Sequence, residues 1–148
     1  MNVEKLYKFP KKGKKAVSVD KCNLQKDIGM EGDFHGKGVD RQITLVSAKA
    51  EQWMKEEKPT GLCFGKLGVN VVVSESCASF QAGDEVKIGE ASVRIIDSRK
   101  RCYPELCMRV MQNLECMLTE EILFAEVLNG GAVAVGDICE GVSGRFAD

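Results

Sequence analysis

Alternation of apolar and polar positions is clearest in GDEVKIGEASVRIID, residues 83–97. Val86 and Ile88 alternate with charged residues, Gly89 and Glu90 interrupt the run, and Val93 and Ile95 resume it. A period of two sends successive side chains to opposite faces, so this stretch predicts a half-buried β-hairpin. Near the C-terminus, ILFAEVLNGGAVAVGDI sets Asn129-Gly130-Gly131 between two β-prone runs. An Asn-Gly pair supplies the positive φ angles of a tight turn, which predicts a second hairpin there. Gly83-Asp84 and Gly136-Asp137 read as turns at strand ends. Further strands are expected at residues 15–19, 41–46, 69–73 and 138–142.

Helical spacing is rarer. SAKAEQWMKEEKPTG begins at Ser47, an N-cap candidate, puts Ala50, Trp53 and Met54 on one face, and stops at Pro59 and Gly61. Trp53 and the methionines are read as packing. A second short helix is expected from Pro104, with Leu106, Val110 and Met111 turned inward. Short strands with glycine punctuation over the whole length predict a mainly β fold, a closed or partly closed β-barrel with a few short helices.

A chain of 148 residues is of a size that forms one core, so a single domain over 1–148 is expected. A formal net charge of -1 argues against nucleic acid as a partner. The lysines at 11, 12, 14 and 15 are expected to be a solvated loop. Apolar runs such as LGVNVVVS fall short of the ~18 residues of a membrane span, and the basic N-terminus lacks the apolar core of an export signal. No membrane association and a cytoplasmic location are therefore expected. Seven cysteines, an odd set without an export signal, imply a reducing compartment and no disulfides. With no CxxC and one histidine, zinc is not expected.

Two stretches carry candidate chemistry. DSRKRCYPELC, residues 97–107, follows the hairpin's second strand and sets Arg99, Lys100 and Arg101 before Cys102. A thiol reacts as thiolate, and nearby cations lower its pKa from about 8.5. Cys102 is thus a candidate nucleophile or metal ligand, and alternatively a small buried apolar residue. Cys107 and Cys116 follow it; three converging thiols would suit persulfide transfer or a soft metal, or serve as core filler. GDFHGKGVDRQ, residues 32–42, holds the sole histidine. In extended backbone Asp33 and His35 share a face, so the carboxylate is placed to orient the imidazole. Gly32, Gly36 and Gly38 permit close approach of a ligand to the main chain. Arg41 and Gln42 lead into ITLVS, where a guanidinium suits phosphate or carboxylate. No helix follows the glycines, so a Rossmann site is rejected.

These residues resemble a known family. GMEGDFHGKGVDRQITLVS resembles the first motif of MOSC domains, found at the C-terminus of molybdenum cofactor sulfurases and as small bacterial proteins. FGKLGVNVVV, AGDEVKIGEASVRIID, RKRC and LFAEVLNGGAVAVGDI resemble the later motifs, in order. The resemblance implies a β-barrel of MOSC type that binds molybdenum cofactor or carries sulfur. Cys102 would be the persulfide carrier or a thiolate ligand to molybdenum, with Cys107 and Cys116 as further possible ligands. Asp33 and His35 would act beside Cys102, and Arg41, Gln42, Asn70, Arg99 and Lys100 would bind the cofactor. The implied partners are the cofactor itself, a sulfur donor or acceptor protein, and an electron donor if the chain serves a reductase of N-hydroxylated compounds. A non-catalytic docking or carrier protein for a molybdoenzyme or synthase is the alternative. The sequence departs from the family at Val69, where relatives commonly carry Glu before Asn, and at Arg101, where they often carry Pro. The large domain that binds pyridoxal phosphate in full-length sulfurases has no counterpart, so pyridoxal phosphate is not expected.

Overall fold

A computed structural model describes residues 1–11, 15–33, 42–56, 68–97 and 121–142. In chain order the elements are β1 (Val3–Lys8), β2 (Val17–Val19), β3 (Lys21–Gln25), β4 (Gly29–Met30), β5 (Ile43–Ser47), α1 (Ala48–Glu56), β6 (Val71–Val73), β7 (Glu85–Ile88), β8 (Ala91–Asp97), β9 (Ile122–Asn129), β10 (Gly131–Ala134) and β11 (Cys139–Gly141). The fold is mainly β, with one helix among the described residues. The helix expected from Pro104 lies outside them.

Alternation was a reliable guide at residues 83–97. β7 and β8 pair antiparallel with Ile88 opposite Ala91 and Val86 opposite Val93. Gly89 turns the chain with a φ of 56°. The two Gly-Asp turns share one construction. Gly83 and Gly136 take φ of 94° and 96°, and Asp84 and Asp137 each accept a hydrogen bond, from Gln81 N and Ala134 N respectively, three residues back. Glycine at the third position suits a type II turn, closed by Asp84 N and Asp137 N donating to Gln81 O and Ala134 O, with the carboxylates bonding back to the first residue of each turn. Strands expected at 15–19, 41–46, 69–73 and 138–142 appear as β2, β5, β6 and β11.

Asn129-Gly130-Gly131 is not a hairpin turn. β9 pairs with β5 and β8, whereas β10 pairs with β3, so the chain changes sheets there. The glycines answer crowding rather than turn geometry. A Cβ on Gly130 would lie 2.7 Å from Leu24 O, and one on Gly131 2.5 Å from Glu90 O.

Of the closed or partly closed barrel that was expected, full closure is not seen among the described residues. Eight strands form one sheet in the order β11-β7-β8-β9-β5-β6-β1-β2, and β10-β3-β4 form another. No ladder joins β11 to β2, so the large sheet is open. It curls far enough for the start of β1 to meet the chain before β11: Val3 N donates to Asp137 O and Cys139 N to Met1 O, both at 2.8 Å. The three-residue, exposed β2 is too short to carry the ladder around.

Both faces of β5 are covered, and all five of its residues are buried. Ile43 and Leu45 join Leu6, Ile88, Ile95 and Leu123 in the main core, together with Leu24, Met30 and Val133 of the smaller sheet. Val46 faces the other way with Ile122, Phe124 and the helix residues Ala50 and Met54; half-buried Trp53 packs against them. Each fully buried aliphatic side chain contributes about 1.5–3 kcal/mol relative to exposure. Ser47 caps the helix as expected, its Oγ accepting from Ala50 N at 3.1 Å.

Candidate functional site

The candidate chemistry falls on two segments outside the described residues: 34–41, with His35 and Arg41, and 98–120, with Arg99, Lys100, Cys102, Cys107 and Cys116. What the structure describes is the frame from which both depart. β5 and β8 lie on either side of β9 and run in the same direction, with Ile43 and Ile95 each opposite Ala125. Gln42 is one residue before that line and Asp97 pairs one residue beyond it. With strands ~4.8 Å apart and a rise of ~3.4 Å per residue, the two anchor positions are about 12 Å apart.

Three expected site residues are described, and each holds backbone. Asn70 precedes β6 at the point where the parallel ladder with β5 begins. Its Oδ1 accepts from Thr44 N at 3.1 Å and its Nδ2 donates to Tyr7 O at 3.3 Å. Its own N donates to Thr44 O and its own O accepts from Tyr7 N. One buried amide thus ties β5 to β1 across the start of β6. Gln42 N donates to Ala125 O, and its Oε1 accepts from Val127 N at 2.9 Å, extending the β5–β9 pairing by a residue. Asp33 follows Gly32, whose φ is 85°, and donates its N–H to Met30 O. Its Oδ1 accepts from Phe9 N at 2.7 Å, so the carboxylate expected to orient His35 holds the end of β1. Asp33 and Gln42 therefore fix the two ends of segment 34–41, and Asn70 braces the same end of the sheet.

The far end of segment 98–120 is fixed by Glu121, which the sequence reading did not single out. Its carboxylate accepts from Ser76 Oγ and from Cys77 N. Burial alone would raise its pKa, but hydrogen bonds from Ser76, Ser47 and Cys77 outweigh it and the net shift is downward. No local pattern in LTEEILF separates this glutamate from its neighbour, because its partners come from other strands.

The three described cysteines are free thiols, and none is poised for chemistry. Burial pushes Cys22 up to about 11 against the opposing charge of Lys8. Cys77 goes to about 12 by burial, reinforced by Glu121 and Cys139. Cys139 also goes to about 12 by burial, partly opposed by the N-terminal ammonium. All three are protonated near neutral pH. A cleft of about 420 Å³ lined by Lys87, Glu90, Asp137, Ile138 and Glu140 lies along the β7–β11 edge and contains none of the expected site residues. Among the described residues no helix is long and apolar enough to cross a membrane.

Comparison with known proteins adds the family context. The sequence model of the MOSC domain matches residues 31–140. Several solved structures share the fold, among them these three. YuaD of Bacillus subtilis is 21% identical with a TM-score of 0.69, covering 95% of this chain and 94% of that one. YiiM of Escherichia coli is 22% identical with a TM-score of 0.61, covering 97% and 70%. YiiM of Geobacillus stearothermophilus is 16% identical with a TM-score of 0.57, covering 95% and 72%. No curated protein matches.

Proposed function

The chain belongs to the MOSC family, a molybdenum cofactor sulfurase-like domain, and from that premise we propose that it binds molybdenum cofactor or carries sulfur, with Cys102 as the working thiolate. The observation that carries this reading is the strand frame: the anchors of the His35 and Cys102 segments are about 12 Å apart on strands flanking β9. Cys102 is five residues beyond Asp97 and His35 seven before Gln42. Segment 34–41 leads into β5 and segment 98–120 leads out of the parallel β8, so they leave the frame in opposite directions, and at up to ~3.4 Å per residue either is long enough to return across that gap. The protonated state of Cys22, Cys77 and Cys139 supports the same choice by removing three competitors.

As a sulfur carrier, Cys102 thiolate attacks the terminal sulfur of a donor persulfide. The donor's S–S bond breaks, the donor leaves as thiolate, and the sulfur is held as the Cys102 persulfide with no net oxidation. Arg99 and Lys100 favour the thiolate by charge. When bound, the cofactor would bring a phosphate and a metal–sulfur centre. Arg41, Arg99 and Lys100 are the groups to bind that phosphate through charge-assisted hydrogen bonds, and Cys102 supplies the soft ligand. Oδ1 and Nδ2 of Asn70, and the side-chain Oε1 of Gln42, already serve backbone partners. Their part is to hold the pocket's walls in place. His35 would hold or deliver a proton beside the thiolate.

The test is metal and pterin analysis of protein purified from its own host under reducing conditions, with mass spectrometry for one added sulfur. Molybdenum with pterin, or a persulfide, is expected in the wild type and lost in Cys102→Ala. A wild-type protein carrying none of these, and accepting no sulfur from a persulfide donor, overturns the proposal.

A further inference from the structure

Lys8 ends β1, on the same strand face as Leu6, which is buried in the main core. Its side chain lies across Gly32. A Cβ built on Gly32 would sit 3.4 Å from both Lys8 Cδ and Lys8 Nζ. The ammonium is therefore delivered to the turn that launches segment 34–41, next to Asp33. Its charge is also felt by Cys22 on β3.

The ammonium has no counterion among the described residues. Three positions earlier Lys5 is paired with Glu51 at 2.8 Å. The nearest carboxylates in sequence around the turn are otherwise engaged: Glu31 accepts from Gln25 Nε2 at 3.1 Å, and Asp33 Oδ1 accepts from Phe9 N at 2.7 Å. The N–H of Gly32 donates to no acceptor among the described residues, while its neighbours Glu31 and Asp33 donate to Asn23 O and Met30 O. The side chain of half-buried Lys8 thus lies over a glycine with positive φ whose N–H has no acceptor among the described residues. Such a pairing of ammonium and main-chain N–H suits a tetrahedral oxyanion.

We propose that Lys8, seated over Gly32, is an anion-binding residue of this protein that holds a phosphate group at the Gly32–Asp33 turn. Set beside the proposed function, on which its biological meaning rests, the phosphate is that of the pterin cofactor. The bland alternative is a lysine whose stem covers the end of the core while its ammonium is solvated. In that case its charge has no ligand to hold.

The experiment titrates the full chain with inorganic phosphate and follows the backbone amides of Gly32 and Asp33 by NMR, with chloride at equal ionic strength as control. Wild type and Lys8→Arg should show a saturable shift of both amides. Lys8→Gln and Lys8→Met, which keep a stem over the core, should bind roughly tenfold or more weakly. An unshifted wild type, the same response to chloride, or unchanged affinity in Lys8→Gln and Lys8→Met overturns the assignment. Failure of the two readings is distinguishable. Lys8-dependent phosphate binding in a protein that purifies without pterin sinks the cofactor and leaves the anion site standing. Equal pterin content in wild type and Lys8→Gln sinks the role of Lys8 and leaves the cofactor standing.

Discussion

Removing the Asn70 side chain tests whether the brace at the start of β6 is as important as its geometry implies. Asn70→Ala leaves Thr44 N and Tyr7 O without their side-chain partner in a position that is 1% exposed. Tyr7 O retains no other donor from Asn70, whose own N–H is committed to Thr44 O. A buried N–H and a part-buried carbonyl left unpaired, at about 1–2 kcal/mol each, predict a loss of about 2–4 kcal/mol. For a chain of this length that corresponds to a fall in melting temperature of roughly 5–12 °C. Urea unfolding followed by fluorescence of Trp53, the sole tryptophan, measures it. Asn70→Asp sharpens the test, because a carboxylate keeps the acceptor for Thr44 N but loses the donor to Tyr7 O. Burial against a carbonyl raises the introduced carboxyl's pKa in the folded state above the unfolded value. Protonated, it can donate to Tyr7 O, so Asn70→Asp should approach wild type at low pH. It should lose stability relative to wild type as pH rises through the folded pKa. A loss below about 0.5 kcal/mol for Asn70→Ala, or an Asn70→Asp deficit independent of pH, would refute the reasoning.

Two other substitutions probe the frame. Glu121 has its folded pKa lowered, so its stabilisation is present above the unfolded carboxylate pKa and is lost as pH falls through the folded value. Glu121→Gln should therefore cost about 1 kcal/mol at neutral pH, and the difference from wild type should shrink in urea titrations on acidification; a difference that grows in acid contradicts the assignment. Gly131→Ala should destabilise more than Gly83→Ala. The first drives a methyl into Glu90 O at 2.5 Å, whereas nothing lies within 4 Å of the second and its cost is only the strain of a φ of 94°, about 1 kcal/mol. Equal thermal shifts for the two variants would show that crowding at the sheet change is not what requires glycine there.

What local sequence conveyed well was whatever local chemistry decides. Val86, Ile88, Val93 and Ile95 alternate because one face of the β7–β8 hairpin meets the core, and Ser47 reads as a cap because its hydroxyl serves an amide three residues on. β1 was missed for an equally physical reason. The register shifts between Val3 and Lys5, which spoils the period of two in VEKLYK. Asn129-Gly130-Gly131 misled because glycine answers two needs, positive φ and close approach, and only the partner strands reveal which applies. For Asp33, Gln42 and Asn70 the motif resemblance pointed to important positions. Their tasks depend on Phe9, Val127, Thr44 and Tyr7, up to 85 residues away in the chain, and no spacing rule reaches that far. Lys8 stayed invisible because its significance comes from Gly32, a neighbour only after folding.

The placement of β9 between β5 and β8 has an evolutionary corollary. A single ladder on each side of one strand determines how far apart the segments 34–41 and 98–120 are rooted. Residues can be inserted into or deleted from either segment while the roots keep their spacing. Conversely, a slip of β9 by one pair would turn its core face outward and disturb both roots together. Diversification within such a scaffold should therefore accumulate in the segments and spare the strand that spaces them.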